Sequence, residues 1–147
     1  MDPLAGIIKS IQDTYDGEPW HGPSIKKILS EIPAEKCDSR IGGGHSIIEL
    51  VLHITAWRGF VVRQLQGNQD FDITDEANFP NGKDWHQAIE ELDKSQGQLL
   101  KAIASFDKQK LQDFVPSRKY SFSKLLHGIT HHDLYHLGQI VMITKQF

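Results

Sequence analysis

The sequence predicts an all-α protein folded as a four-helix bundle, and three observations predict it. Four long stretches repeat their apolar residues at helical spacing. The segments between them hold the prolines, glycines and asparagines that break helices. No stretch is long enough for a strand: Val115 and Tyr120–Phe122 are brief and are bounded by Pro116 and serine.

Each element has its own signal. The first helix runs from about Pro3 to Tyr15 and breaks at Asp16-Gly17-Glu18-Pro19. Helix resumes after Pro23, with Ser24 as N-cap and Ile25, Ile28 and Leu29 at helical spacing, until Pro33 ends it. A loop follows through Ile41-Gly42-Gly43-Gly44, since three consecutive glycines do not hold a helix. The second long helix opens at His45-Ser46, where Ser46 and Glu49 have the spacing of a capping box. It continues to about Gln66 and stops at Gly67-Asn68. A loop from Asp70 to Phe79 leads through Pro80-Asn81-Gly82 to the third helix, from about Asp84 to Phe106. The fourth begins at Ser121 and continues almost to Phe147.

Composition narrows the function. The 147 residues suit a single domain over residues 1–147 with a sizeable core. A net charge of -3 with no basic stripe argues against a nucleic-acid partner. One cysteine, Cys37, excludes an internal disulfide and suits a reducing cytoplasm; it reads as a tolerated loop thiol rather than a nucleophile. The N-terminal segment lacks the features of a signal peptide, and no apolar run is long enough for a membrane span. The expected location is therefore cytoplasmic.

The fourth helix carries two pairs of histidines four apart: His127 with His131, and His132 with His136. On a wheel with His127 as origin, Phe122, Leu125, Ile129, Ile140 and Ile143 form a stripe between about 160° and about 220°. His132 at about 140° and His136 at about 180° lie beside or inside that stripe. His127 at the origin and His131 at about 40° face away from it. Two buried imidazoles need partners for their ring nitrogens, and a shared metal ion satisfies one nitrogen of each. A third ligand must come from another helix. On the second helix His53 lies in the apolar arc formed by Leu50, Ile54, Trp57 and Val61, so a bundle can bring it to the same place.

Each residue also has a plainer reading. A lone inward histidine such as His53 is more often a hydrogen-bonded core residue. Glu49 reads first as a helix cap, and as an outer partner of the metal or a general base second. Trp57 is core or pocket wall. His21, His45 and His86 read as surface or loop residues. His132-Asp133-Leu134-Tyr135-His136 has the spacing of the zinc-protease motif His-Glu-x-x-His, but with Asp133 in place of the catalytic glutamate and no third ligand downstream. Asp133 is expected beside the site, assisting with protons, or at the bundle surface.

Several blocks together resemble the DinB-like superfamily, including its YfiT-type metal-dependent hydrolases. They are Gly17-Glu18-Pro19-Trp20-His21-Gly22-Pro23-Ser24, the run from His45 to Ile54, Trp57, Gly67, and most specifically His132 to Ile140, HDLYHLGQI. The resemblance spans nearly the whole chain. It implies an up-down-down-up bundle, commonly dimeric, with a divalent metal held by His53, His132 and His136, the trio that the helical wheels also select. It further implies a hydrolase or a thiol-dependent S-transferase or isomerase acting on a small molecule with bacillithiol, mycothiol or glutathione, although the superfamily also holds members without established activity. Leu137 stands where many relatives carry arginine, so any role of that arginine does not transfer.

Three neutral nitrogens would leave a metal with an open position to activate water or a thiol. Nitrogen ligands suit zinc, nickel, iron or copper; zinc or nickel leads, with iron or manganese behind. The competing expectation is a non-catalytic, metal-binding or stress-associated bundle. A homodimer is also expected. Leu126, Leu134, Leu137 and Val141 form a second apolar flank that would meet either another subunit or a neighbouring helix of the same chain. Residues Phe71 to Asn81 are expected to shape the pocket mouth, and nothing in the sequence names the substrate.

Overall fold

A computed structural model describes residues 2–68 and 70–147. Among them the helices are α1 Pro3–Tyr15, α2 Ile25–Ser30, α3 Ile47–Leu65, α4 Asp75–Asn78, α5 Trp85–Ala104 and α6 Phe122–Thr144. The four long ones are the four that the periodicity predicts. α1 matches at both ends, whereas α5 and α6 stop at Ala104 and Thr144, short of the expected Phe106 and Phe147. The Asp70–Phe79 loop contains α4, which Thr74 caps by accepting from Ala77 N–H. No strand forms among the described residues; Phe114 and Ser121 make an isolated antiparallel bridge.

The helix starts follow their capping residues. Ser46 Oγ accepts from Glu49 N–H at 3.3 Å while Glu49 Oε2 accepts from Ser46 N–H at 2.7 Å, completing the expected capping box. Ser46→Ala should lower stability by about 1 kcal/mol, read from urea unfolding, because it leaves an α3 donor without its acceptor. At the other end of α3, Gly67 adopts φ 82°, which only glycine adopts without strain. Gly67 N–H then donates to Gln64 O and Asn68 N–H to Arg63 O, a Schellman closure.

Two core clusters give the topology. One joins Tyr15 of α1, Ile47 to Ile54 of α3, Ala88 and Leu92 of α5, and Leu137, Ile140 and Ile143 of α6. The other joins Leu4, Ile7 and Ile11, Phe60 and Val61, Leu99 and Ile103, and Leu126 and Ile129. The start of α3 therefore shares a layer with the start of α5 and with the ends of α1 and α6. So α1 and α6 run one way and α3 and α5 the other, in the order up-down-down-up. α3 packs against α5 and α6, and α1 against the same two helices.

Because α3 and α5 are parallel, the chain between them must return along the bundle, a distance of about 28 Å for a 19-residue helix. This return places Phe71 beside Phe60 at one end and Phe79 over His53 at the other. The second apolar flank of α6 is largely used by the chain itself: Leu126 and Leu137 are buried, and Leu134 and Val141 half-buried. Contact with both α1 and α3 widens the buried arc beyond one stripe, so this flank does not call for a second subunit.

Candidate metal centre

His53 projects from the first half of α3, which is buried on nearly every side, and His132 and His136 project from one face of α6. The three side chains each offer a ligand atom, and these atoms lie within 4.8 Å of one another. His53 Nε2 and His132 Nε2 are 3.0 Å apart. A cation bound at about 2.0–2.1 Å from each nitrogen fits between donors this close.

The outer nitrogens orient the inner ones. His53 Nδ1–H donates to the Asn78 carbonyl at 2.6 Å, and His136 Nδ1–H donates to Gln139 Oε1 at 2.6 Å. Both acceptors take a proton from Nδ1, which leaves the Nε2 lone pair free for a metal. Asn78 also accepts from Trp57 Nε1 through its side-chain oxygen at 2.9 Å. Phe79 stacks on His53 with centroids 4.1 Å apart, and His45 stacks on the opposite face of Phe79 at 3.6 Å. The returning α3–α5 segment thus holds the His53 ring from two directions.

Burial pushes the His53 pKa down from 6.5 to about 4, against the opposing pull of the Asn78 carbonyl. Burial also lowers His136, with Gln139 opposing. Both rings are therefore uncharged near neutrality, with the proton on Nδ1 and Nε2 bare, as ligands must be. The depressed value has a consequence for the metal-free protein. Its unfolded chain takes up a proton at His53 below about pH 6.5 while the folded chain resists until about pH 4, so acid favours unfolding in that window. Stability should fall by about 2 kcal/mol between pH 7 and pH 5 from this ring alone. Urea midpoints for wild type and His53→Gln, both stripped of metal, check it: the slope against pH should flatten in the variant.

Below the trio lies a buried ion pair. Asp133 Oδ2 accepts from Arg58 Nε at 3.0 Å and pairs with the Nη2 charge at 2.8 Å, and both side chains are almost fully buried. Arg58 Nη1 donates to Gln96 Oε1 at 2.5 Å, and its guanidinium lies 5.0 Å from the centre of the Tyr15 ring. The Tyr15 hydroxyl donates in turn to Asp93.

The trio selected from the wheels converges as expected, and His21, His45, His86, His127 and His131 are exposed as expected. Of the two carboxylates, Glu49 occupies the capping box beside Arg40 and His45, and hydrogen bonding to Ser46 N–H lowers its pKa. Asp133 is 2% exposed, so its surface alternative is overturned: Arg58 draws it into the core. Sequence reasoning missed Arg58, and it placed Asn78 and Phe79 only within a loop at the pocket mouth, not on the His53 ring. On the α3 wheel Arg58 falls just past the apolar arc, and on the α6 wheel Asp133 falls next to Leu126. Opposite charges on two inward faces were the available signal. For Asn78 the signal was Thr74 as a helix cap within the loop.

His132 is the most open member of the trio, its side chain 26% exposed. It forms one end of a groove of about 230 Å³ lined by Trp57, Val61, Leu125, Gly128 and Ile129, with Tyr120 and Lys124 at its side. No helix among the described residues is long and apolar enough to cross a membrane. No curated protein and no solved structure matches the chain. The family model described as the DinB superfamily does match it, over residues 23–140. That span holds α2 to α5, nearly all of α6 and every member of the histidine trio, and on that match the chain belongs to the DinB superfamily.

Proposed function

We propose that this protein is a metal-dependent enzyme, a hydrolase or a thiol S-transferase acting on a small molecule. The supporting observation is the convergence of three histidines beside an open groove, with His132 belonging to both. His53, His132 and His136 would hold a divalent cation through neutral nitrogens, and such a cation would lower the pKa of a water or thiol. Zinc or nickel suits such a nitrogen set, with iron or manganese behind.

The chain's own residues supply orientation and shelter. Asn78 and Gln139 keep the His53 and His136 lone pairs pointed inward. Trp57, held by Asn78, packs beside His53 and His132 and lines the groove with His132, so its ring covers one flank of the trio. The groove is lined mainly by apolar side chains, which favours an apolar substrate portion next to His132. Glu49 acts in this reading as the α3 cap, with proton transfer by way of His45 a lesser role. A homodimer, located in the cytoplasm, belongs to the same reading; sedimentation at low micromolar concentration tests the oligomeric state.

The test is elemental analysis of untagged protein purified without chelator, followed by hydrolase assays and transfer assays with several low-molecular-weight thiols. One equivalent of a divalent metal and turnover that chelation abolishes are expected; metal without any turnover would favour the non-catalytic bundle. Gly128→Leu probes the groove. A Cβ at Gly128 meets no atom within 4 Å, so the variant should fold at least as stably as wild type, while its side chain fills the groove. Activity should fall by about tenfold or more with metal content unchanged.

A further inference from the structure

Asp133 is buried against Arg58, yet only Oδ2 is used: Oδ1 has no hydrogen-bond partner. Facing it at 3.7 Å is His132 Nδ1, also buried and also without a partner. A buried polar atom left unsatisfied costs about 1–3 kcal/mol, so two such atoms side by side call for a physical reason. A carboxylate oxygen only accepts, so the two can pair only when His132 carries its proton on Nδ1.

His53 constrains the other nitrogen of His132. Its Nδ1–H is committed to the Asn78 carbonyl, so its Nε2 bears a lone pair, and His132 Nε2 lies 3.0 Å from that lone pair. Two lone pairs at this distance repel. With His132 neutral, either its Nε2 carries the proton and donates it to His53, or a cation lies between the two nitrogens. The first arrangement leaves Asp133 Oδ1 and His132 Nδ1 facing each other as two acceptors. The second puts the proton on Nδ1 and gives both atoms a partner.

We propose that the Arg58–Asp133 pair is a positioning device for the metal centre: Asp133 Oδ1 accepts the Nδ1 proton of His132 and so aims the His132 Nε2 lone pair at the cation. The inference rests on the three-histidine reading of the site. Asp133 acts through His132 and is a positioning residue. Gln96 and the Tyr15 ring fix the Arg58 guanidinium, and the guanidinium in turn fixes the carboxylate. On metal binding the His132 imidazole remains neutral: it loses a proton from Nε2 and gains one at Nδ1, by exchange with solvent. Such a role also accounts for a charged pair in the core, where an apolar pair of similar volume would generally serve stability as well.

Full-length wild type, the double variant Arg58→Met/Asp133→Leu and His53→Ala are titrated with zinc ion against a chromophoric chelator. Long-range nitrogen–proton NMR of the imidazoles is recorded on wild type with and without zinc. The double variant should keep its helicity and bind zinc about 10–100-fold more weakly. His132 should be protonated at Nε2 without zinc and at Nδ1 with it. Unchanged zinc affinity in a folded double variant, or a zinc-loaded wild type with no proton on His132 Nδ1, would overturn the proposal. The imidazole readout needs no variant and decides the matter even where the double variant does not fold. If wild type binds no zinc, the three-histidine reading falls and this proposal with it. If His53→Ala abolishes binding and the double variant binds normally, only the positioning role falls.

Discussion

His53→Ala should yield a folded, helical protein that retains almost no metal, whereas wild type holds about one equivalent per chain. His53 is the α3 member of the trio, and without it two histidines on one helix face must hold the cation alone. The loss in affinity should exceed the roughly 10–100-fold that follows from disturbing an outer partner of a ligand. Elemental analysis of wild type and variant, with circular dichroism as the folding control, measures it; equal metal content in both would remove His53 from the site. Helicity should survive because the layer around His53 is carried by Ile47, Leu50, Val51 and Ile54 of the same helix.

Arg58→Ala should be the most destabilising single change in the chain. It leaves the Asp133 carboxylate 2% exposed with no counter-ion and Gln96 Oε1 without its donor. Removing one partner of a buried ion pair costs about 3–5 kcal/mol, a large share of the roughly 5–15 kcal/mol by which domains are stable. The melting temperature should fall by about 10 °C or more. Paired replacement of both charges by apolar residues should restore most of the loss, since no charge then remains uncompensated. A loss below about 1 kcal/mol for Arg58→Ala would mean that water reaches Asp133 in solution.

The fold was legible because helical periodicity and caps are local. Ser24, Ser46, Asp84 and Ser121 each start a helix where a short polar side chain precedes an apolar repeat. The histidine trio was legible for the same reason, since a wheel places His132 and His136 together on one helix and His53 on the inward face of another. The second flank of α6 was legible too, but not which neighbour it meets. A wheel shows that a face is apolar and not what covers it; α6 packs against both α3 and α1, which buries Leu126 and Leu137 of that flank and Asp133 beside them.

The support around the trio was less legible because it depends on contacts far apart in sequence. Asn78 reaches His53 across 25 positions, and Arg58 meets Asp133 across 75. No periodicity encodes such pairs. The sequence by itself determined the helices, their caps, the inward faces and the three histidines, because these follow from spacing along one helix at a time. Only the tertiary structure decided that α3 and α5 are parallel, that the returning segment therefore closes over His53, and that Asp133 is drawn into the core by Arg58. The physical reason is that a buried carbonyl or charge must find its partner wherever the packed chain places one, and that place is fixed only when the helices have met.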